Sequence, residues 1–154
     1  MLPSALSDLA SVVGGTAEGN PMISGLAIDS RKVTEGDLFV ALVAERDGHD
    51  FIENAAESGA SAALVSKPIT TLPSIFVKDT EVAMSDLART IRDSFAGEVL
   101  ALTGSQGKTS TRGFLASILT EMVTASSAES VLVTQGNLNN HLGVPLTMAR
   151  LRSH

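Results

Sequence analysis

Val99-Leu100-Ala101-Leu102-Thr103-Gly104-Ser105-Gln106-Gly107-Lys108-Thr109-Ser110 runs from an apolar stretch with strand character into a glycine-rich loop that closes on Gly-Lys-Thr. A helical pattern follows, because Phe114, Leu115, Ile118, Leu119 and Met122 recur at three- and four-residue spacing and so share one face. Strand, glycine loop and helix in that order have the grammar of a phosphate-binding loop. Gly104 and Gly107 let the backbone turn tightly enough to aim several N–H groups at one anion. The helix N-terminus adds partial positive charge, Lys108 adds a full one, and the Thr109 hydroxyl is placed to ligate Mg²⁺. The general pattern G-x-x-x-x-G-K-[ST] wants glycine where Leu102 stands, so this is a shorter form, G-x-x-G-K-T. The competing account is an ordinary strand-to-helix turn with a solvated Lys108. It leaves the coincidence of apolar run, two glycines and Lys-Thr in register unexplained.

Upstream, elements alternate as in an α/β protein. Residues 2–13 place Leu2, Leu6, Leu9 and Val13 on one helical face, with Pro3 near the start and Gly14-Gly15 as the stop. Ile23 to Ile28 reads as a strand, 33–37 as a turn, and Leu38 to Val43 as a buried strand. A helix is expected from about Asp50 to Ser58, closed by Gly59. Ala62 to Val65 and Ile75 to Val77 are short apolar runs around a Pro68–Pro73 loop. Asp79 or Thr80 can cap a helix carrying Ala83, Leu87, Ile91 and Phe95. Gly97 ends it, which puts a domain boundary at 96–98. The first domain is thus 1–96, and 97–154 begins a second with one βαβ unit of a parallel sheet.

Composition bounds the function. With 154 residues, 44% of them hydrophobic, and a mean hydropathy of +0.23, the chain has material for a core. No apolar run reaches the roughly 20 residues of a membrane span, and the N-terminus lacks the pattern of a signal peptide, so a cytoplasmic location is expected. The absence of cysteine excludes disulfides and thiolate metal sites. A net charge of −6 argues against a nucleic-acid partner, and an anionic ligand must be captured by local groups.

Three segments together carry a family resemblance. Thr103-Gly104-Ser105-Gln106-Gly107-Lys108-Thr109 is similar to the ATP loop of the Mur ligases, which form amide bonds in peptidoglycan precursor synthesis. Asp29-Ser30-Arg31-Lys32-Val33, Gly36 to Leu42, and Asp47-Gly48-His49-Asp50-Phe51 resemble that family's amino-terminal, UDP-sugar-holding domain. Thr134-Gln135-Gly136-Asn137-Leu138-Asn139-Asn140, running into Gly143-Val144-Pro145, resembles the type that adds D-alanyl-D-alanine to UDP-N-acetylmuramoyl-tripeptide.

The resemblance implies ATP and Mg²⁺ as cofactors. Gly104, Ser105, Gln106, Gly107, Lys108, Thr109 and Ser110 would cradle the phosphates, Lys108 would be the catalytic charge, and Thr109 the metal ligand. The tripeptide carboxylate would be activated as an acyl phosphate and attacked by the D-alanyl-D-alanine amine. Ser30 and Arg31 would touch the uracil or the diphosphate; on residue types alone, a turn with a surface ion pair is an equal account. Asn137, Asn139 and Asn140 would contact substrate, whereas residue types alone favour a hydrogen-bonded turn. His49 reads as a cap for the following helix, and His141 receives no catalytic role.

A Mur ligase continues well beyond Leu151-Arg152-Ser153-His154, so the chain is expected to be a fragment, inactive alone and self-associating through its incomplete sheet. Two other readings remain: a non-catalytic UDP-sugar-binding module, and a different ligase with this type of loop, such as the Mur ligase adding the third amino acid or a folylpolyglutamate synthetase-like enzyme.

Overall fold

The computed structural model describes residues 3–123, 131–136, 138 and 140–151. Its elements, in chain order, are β1 (Ser4–Ala5), α1 (Leu6–Val12), β2 (Thr16–Glu18), β3 (Met22–Ile23), β4 (Gly25–Ala27), β5 (Asp37–Val40), α2 (Ile52–Glu57), β6 (Ala62–Val65), β7 (Ser74–Phe76), α3 (Thr80–Ser94), α4 (Lys108–Val123) and α5 (Gly143–Met148). Single 3-10 turns occupy Ser30–Lys32 and Gly48–Phe51.

Successive strand side chains point to opposite faces, and β5 and β6 are apolar on both, apart from Asp37 at the start of β5. Leu38, Val40, Ala62, Leu64 and Ile75 join Leu6, Leu9, Ile23, Met84 and Leu87 in one core layer beneath α1 and α3. Phe39, Ala41, Ala63 and Val65 join Val33, Ile52 and Ala55 in a second layer beneath α2. A sheet covered on both sides is the setting in which parallel pairing is stable. The order is β2-β7-β6-β5-β4. Strands β4 to β7 run parallel, and β2 adds an antiparallel edge on β7.

Several expectations are met at the level of the element. β6 covers the expected residues, and α3 starts at Thr80 behind an Asp79 cap whose side chain accepts from the Glu81 and Val82 N–H groups. α4 begins at Lys108, as the loop motif requires.

Other elements differ. The first helix starts at Leu6, not residue 2, because Ser4 and Ala5 pair with Ile23 and Met22 as a short ladder. The expected Ile23–Ile28 strand breaks at Ser24, whose N–H donates to the Gly36 carbonyl at 2.8 Å. There the chain leaves β1 and joins β5. The strand from Leu38 stops at Val40, after which Val43 is exposed. β2 and α5 were not expected.

The βαβ expectation holds for its helix. Neither 98–104 nor 131–135 is assigned as strand, and Leu100 is 59% exposed; without cover on both faces a parallel ladder gains little. The expected boundary at 96–98 falls in the irregular stretch between Phe95, the C-cap of α3, and α4. α5 packs against α3, with Gly143, Pro145 and Thr147 buried. Gly143 is required there, since a Cβ would stand 2.4 Å from the Leu138 backbone.

Candidate functional site

Parallel strands β4, β5, β6 and β7 end at one edge, and four connections open from it: 28–36, 41–51, 66–73 and 77–79. Ligands of open α/β sheets bind at such carboxyl edges. Ser30 and Arg31 stand in the first connection, on the 3-10 turn that Asp29 caps. Ser30 is 8% exposed, and its hydroxyl finds no hydrogen-bond partner among the described residues. Arg31 is 86% exposed and grips Asp29 twice, Nε to Oδ1 and Nη2 to Oδ2, each at 2.9 Å. This guanidinium lowers the Asp29 carboxyl to about 2 and is itself raised. The turn with an ion pair is therefore present, and it leaves the remaining guanidinium donors facing solvent.

The second connection carries groups that sequence reasoning passed over. Asp47, rather than His49, caps the Gly48–Phe51 turn by accepting from the His49 N–H. The His49 ring links Asp47 to Ser66 in the third connection, and Lys67 donates to Asp47. Hydrogen bonding from Lys67, then from His49, holds the Asp47 carboxyl well below the usual range, and Asp47 in turn raises Lys67. Arg46 stacks on the Phe51 ring with its guanidinium carbon 4.6 Å from the centroid. The motif Asp47-Gly48-His49 was visible in the sequence, but its partner at Ser66–Lys67 lies 17 to 20 residues away and no spacing rule connects them.

The glycine loop lies at the start of α4. Gly107 has φ +77°, a conformation costly for other residues, and nothing lies within 4 Å of where its Cβ would be. Thr111 is the first residue whose N–H bonds back into the loop, to the Gly107 carbonyl at 2.9 Å. The N–H groups of Ser105 to Ser110 donate to no described residue; for Lys108 to Ser110 the first turn of a helix dictates this. Lys108 is half-buried and its Nζ donates to the Gly104 carbonyl, so the ammonium stays over the loop. Thr109 and Ser110 are exposed.

Unsatisfied N–H donors, a helix N-terminus and a retained cation fit a polyphosphate. The Thr109 hydroxyl fits Mg²⁺, a hard cation that takes few protein ligands and completes its shell with phosphate oxygens and water. Among the described residues no cluster of three or more His, Asp or Glu stands ready to bind a metal by itself.

Of the three asparagines, Asn137 and Asn139 lie outside the described residues. Asn140 is exposed, and its Oδ1 accepts from the Gly143 N–H at 2.8 Å, which is the turn-forming use of the side chain; its amide NH₂ makes no bond among the described residues. Arg112, one turn into α4 beyond Lys108, donates to the Gly136 carbonyl at 2.9 Å and ties Gly136 to α4. Sequence reading missed that bond because the partner is a backbone atom 24 residues on. His141 stands 3.5 Å from Glu81, both exposed.

The profile described as "Mur ligase family, catalytic domain" matches residues 22–103, and "Mur ligase middle domain" matches residues 102–154. The chain belongs to the Mur ligase family. Among Mur ligases it is 44% identical to the UDP-N-acetylmuramoyl-tripeptide--D-alanyl-D-alanine ligase of Escherichia coli (strain K12), over 98% of this chain and 33% of that one. A crystal structure of MurF from Acinetobacter baumannii superposes with a TM-score of 0.84 at 36% identity, over 97% of this chain and 33% of that one. MurF ligase from Thermotoga maritima, determined in complex with ADP, superposes with a TM-score of 0.65 at 33% identity, over 84% and 30%. This Mur ligase chain thus spans about a third of the length of the relatives it matches.

Proposed function

We propose that this chain is the substrate-holding and nucleotide-cradling part of a ligase that joins D-alanyl-D-alanine to UDP-N-acetylmuramoyl-tripeptide in the cytoplasm. Residues 1–96 hold the UDP-sugar at the carboxyl edge of the sheet, and 97–154 begin the ATP-binding domain. The observation that carries the reading is the open glycine loop on α4, following a parallel sheet whose edge bears the half-free Arg31. Similarity to the D-alanyl-D-alanine-adding ligases along nearly the whole chain supports the choice of substrates.

ATP supplies the phosphoryl group that turns the tripeptide carboxylate into a reactive acyl phosphate. The chain's own residues position and neutralise. The N–H groups of Ser105 to Ser110, with Gly104 and Gly107 shaping the loop, donate to phosphate oxygens. Lys108, now on the Gly104 carbonyl, would neutralise phosphate charge, and Thr109 would hold Mg²⁺. Ser30 and Arg31 orient the nucleotide sugar, and Asn137, Asn139 and Asn140 present amides to substrate. Such work needs no protein nucleophile.

Calorimetric titration with Mg-ATP tests the loop. Binding to the parent chain and its loss, by about tenfold or more, in Lys108→Ala is the expected result. Equal affinity in the two removes Lys108 from the assigned role.

A further inference from the structure

A closed ring of hydrogen bonds joins the connections that leave β5 and β6. Asp47 Oδ1 accepts from the His49 backbone N–H at 3.0 Å and meets His49 Nδ1 at 2.6 Å. His49 Nε2 accepts the Ser66 N–H at 3.0 Å, and Lys67 Nζ returns to Asp47 Oδ2 at 2.5 Å. The backbone N–H of Ser66 can only donate, so Nε2 presents a lone pair. The ring proton then stands on Nδ1, directed at the Asp47 carboxylate. One side chain thus accepts from one connection and donates to the other, which fixes a single tautomer of a neutral ring.

Exposure divides the labour within the ring. The His49 side chain is 7% exposed and beyond a ligand's reach, whereas Lys67 is 61% exposed. Ser66 directly follows Val65, the last residue of β6, so holding its N–H sets the direction in which Lys67 leaves the sheet. Two strand spacings separate β6 from β4, whose end carries Ser30 and Arg31. That is about 10 Å, a distance that the uridine and diphosphate of a nucleotide sugar bridge together. An ion pair as exposed as Lys67–Asp47 contributes little in water, so a diphosphate can draw the ammonium away from Asp47.

We propose that His49 is a positioning residue for the nucleotide sugar: through Ser66 it aims Lys67, which supplies a cation to the diphosphate at the carboxyl edge of the sheet. This rests on reading that edge as the UDP-sugar site.

The test is calorimetric titration of the 154-residue chain with UDP, comparing the parent with His49→Ala, Lys67→Ala and the double variant. Thermal unfolding confirms that each is folded, and His49→Gln replaces His49→Ala if the latter does not fold. Each single substitution is expected to weaken UDP binding about tenfold, as loss of one charge-assisted bond does. The double variant is expected to bind no more weakly than either single one, because both changes remove the same contact. Nitrogen-15 spectra of the parent ring are expected to show the Nδ1–H tautomer. Additive losses, or a loss for His49→Ala with none for Lys67→Ala, would overturn the proposal, as would an Nε2–H tautomer. A folded parent that binds UDP equally with all variants refutes the inference alone. A folded parent that does not bind UDP refutes the reading of the edge, and the inference with it.

Discussion

Asp29 and Arg31 hold each other through two parallel N–H···O bonds, and that pair makes the turn at the end of β4 depend on pH. The folded-state value of Asp29 lies near 2, below its ordinary 3.8. A carboxylate depressed on folding stabilises the folded state above its unfolded value and ceases to do so as pH falls through its folded value. The parent should therefore be more stable than Asp29→Asn at neutral pH. The difference should shrink below about pH 4 and vanish only well below about pH 2. Thermal unfolding across that range checks it, and a pH-independent difference would deny the pair its role. Because the pair is partly exposed, the effect is small. At this scale the sequence spoke unevenly. The turn and ion pair of Arg31 and the place of Lys108 at a helix start were legible because their motifs are local. His49, Lys67 and Arg112 were not, since each acts through a backbone or side-chain atom that only the fold brings near.

Elements with a strong period or an unambiguous cap were readable in advance. α3 has both: its apolar positions Ala83, Met84 and Leu87 fall on the core face, and Asp79 accepts two N–H groups of the first turn at 2.9 and 3.0 Å. Replacing Asp79 with Ala should cost about 1 kcal/mol of stability, read as a lower denaturant midpoint with an unchanged slope; an unchanged midpoint would contradict the capping assignment. β2 was invisible because Thr16-Ala17-Glu18 offers a single apolar residue and owes its strand character to pairing with β7. α5 hid behind Gly143 and Pro145, residues that usually punctuate a chain but are tolerated here in a helix's first turn. The break at Ser24 depended on which neighbour each half of the run would pair with, and side-chain alternation carries no information about that. The apolar runs at 99–102 and 131–133 had strand composition without the cover that parallel pairing needs.

Over the whole molecule, the two halves of the chain differ in how well they bury themselves. The sheet of β2 and β4 to β7 has a core layer on each face. α4, by contrast, buries no residue fully, and Phe114, Ile118 and Met122 form a stripe along it at 71%, 56% and 72% exposure. Contiguous apolar surface of this kind drives association. The 154-residue chain in isolation should therefore pair with a second copy through this stripe, and Phe114→Glu with Met122→Lys should return it to monomer. Sedimentation showing only monomer for the parent across the micromolar range would refute this. Order along the chain and class of fold were legible as motifs. The way α5 docks on α3, and the bond that brings Gly136 to α4, needed the three-dimensional packing.

The central claim is that the carboxyl edge of the sheet holds a UDP-sugar. Calorimetric titration of the folded chain with UDP-N-acetylmuramoyl-tripeptide tests it most directly, with Arg31→Ala as the control. The account predicts saturable binding of one ligand per chain, weakened about tenfold or more in the Arg31 variant as one charge-assisted contact is lost. A folded chain that gives no saturable binding, or one that binds as well without Arg31, would contradict it.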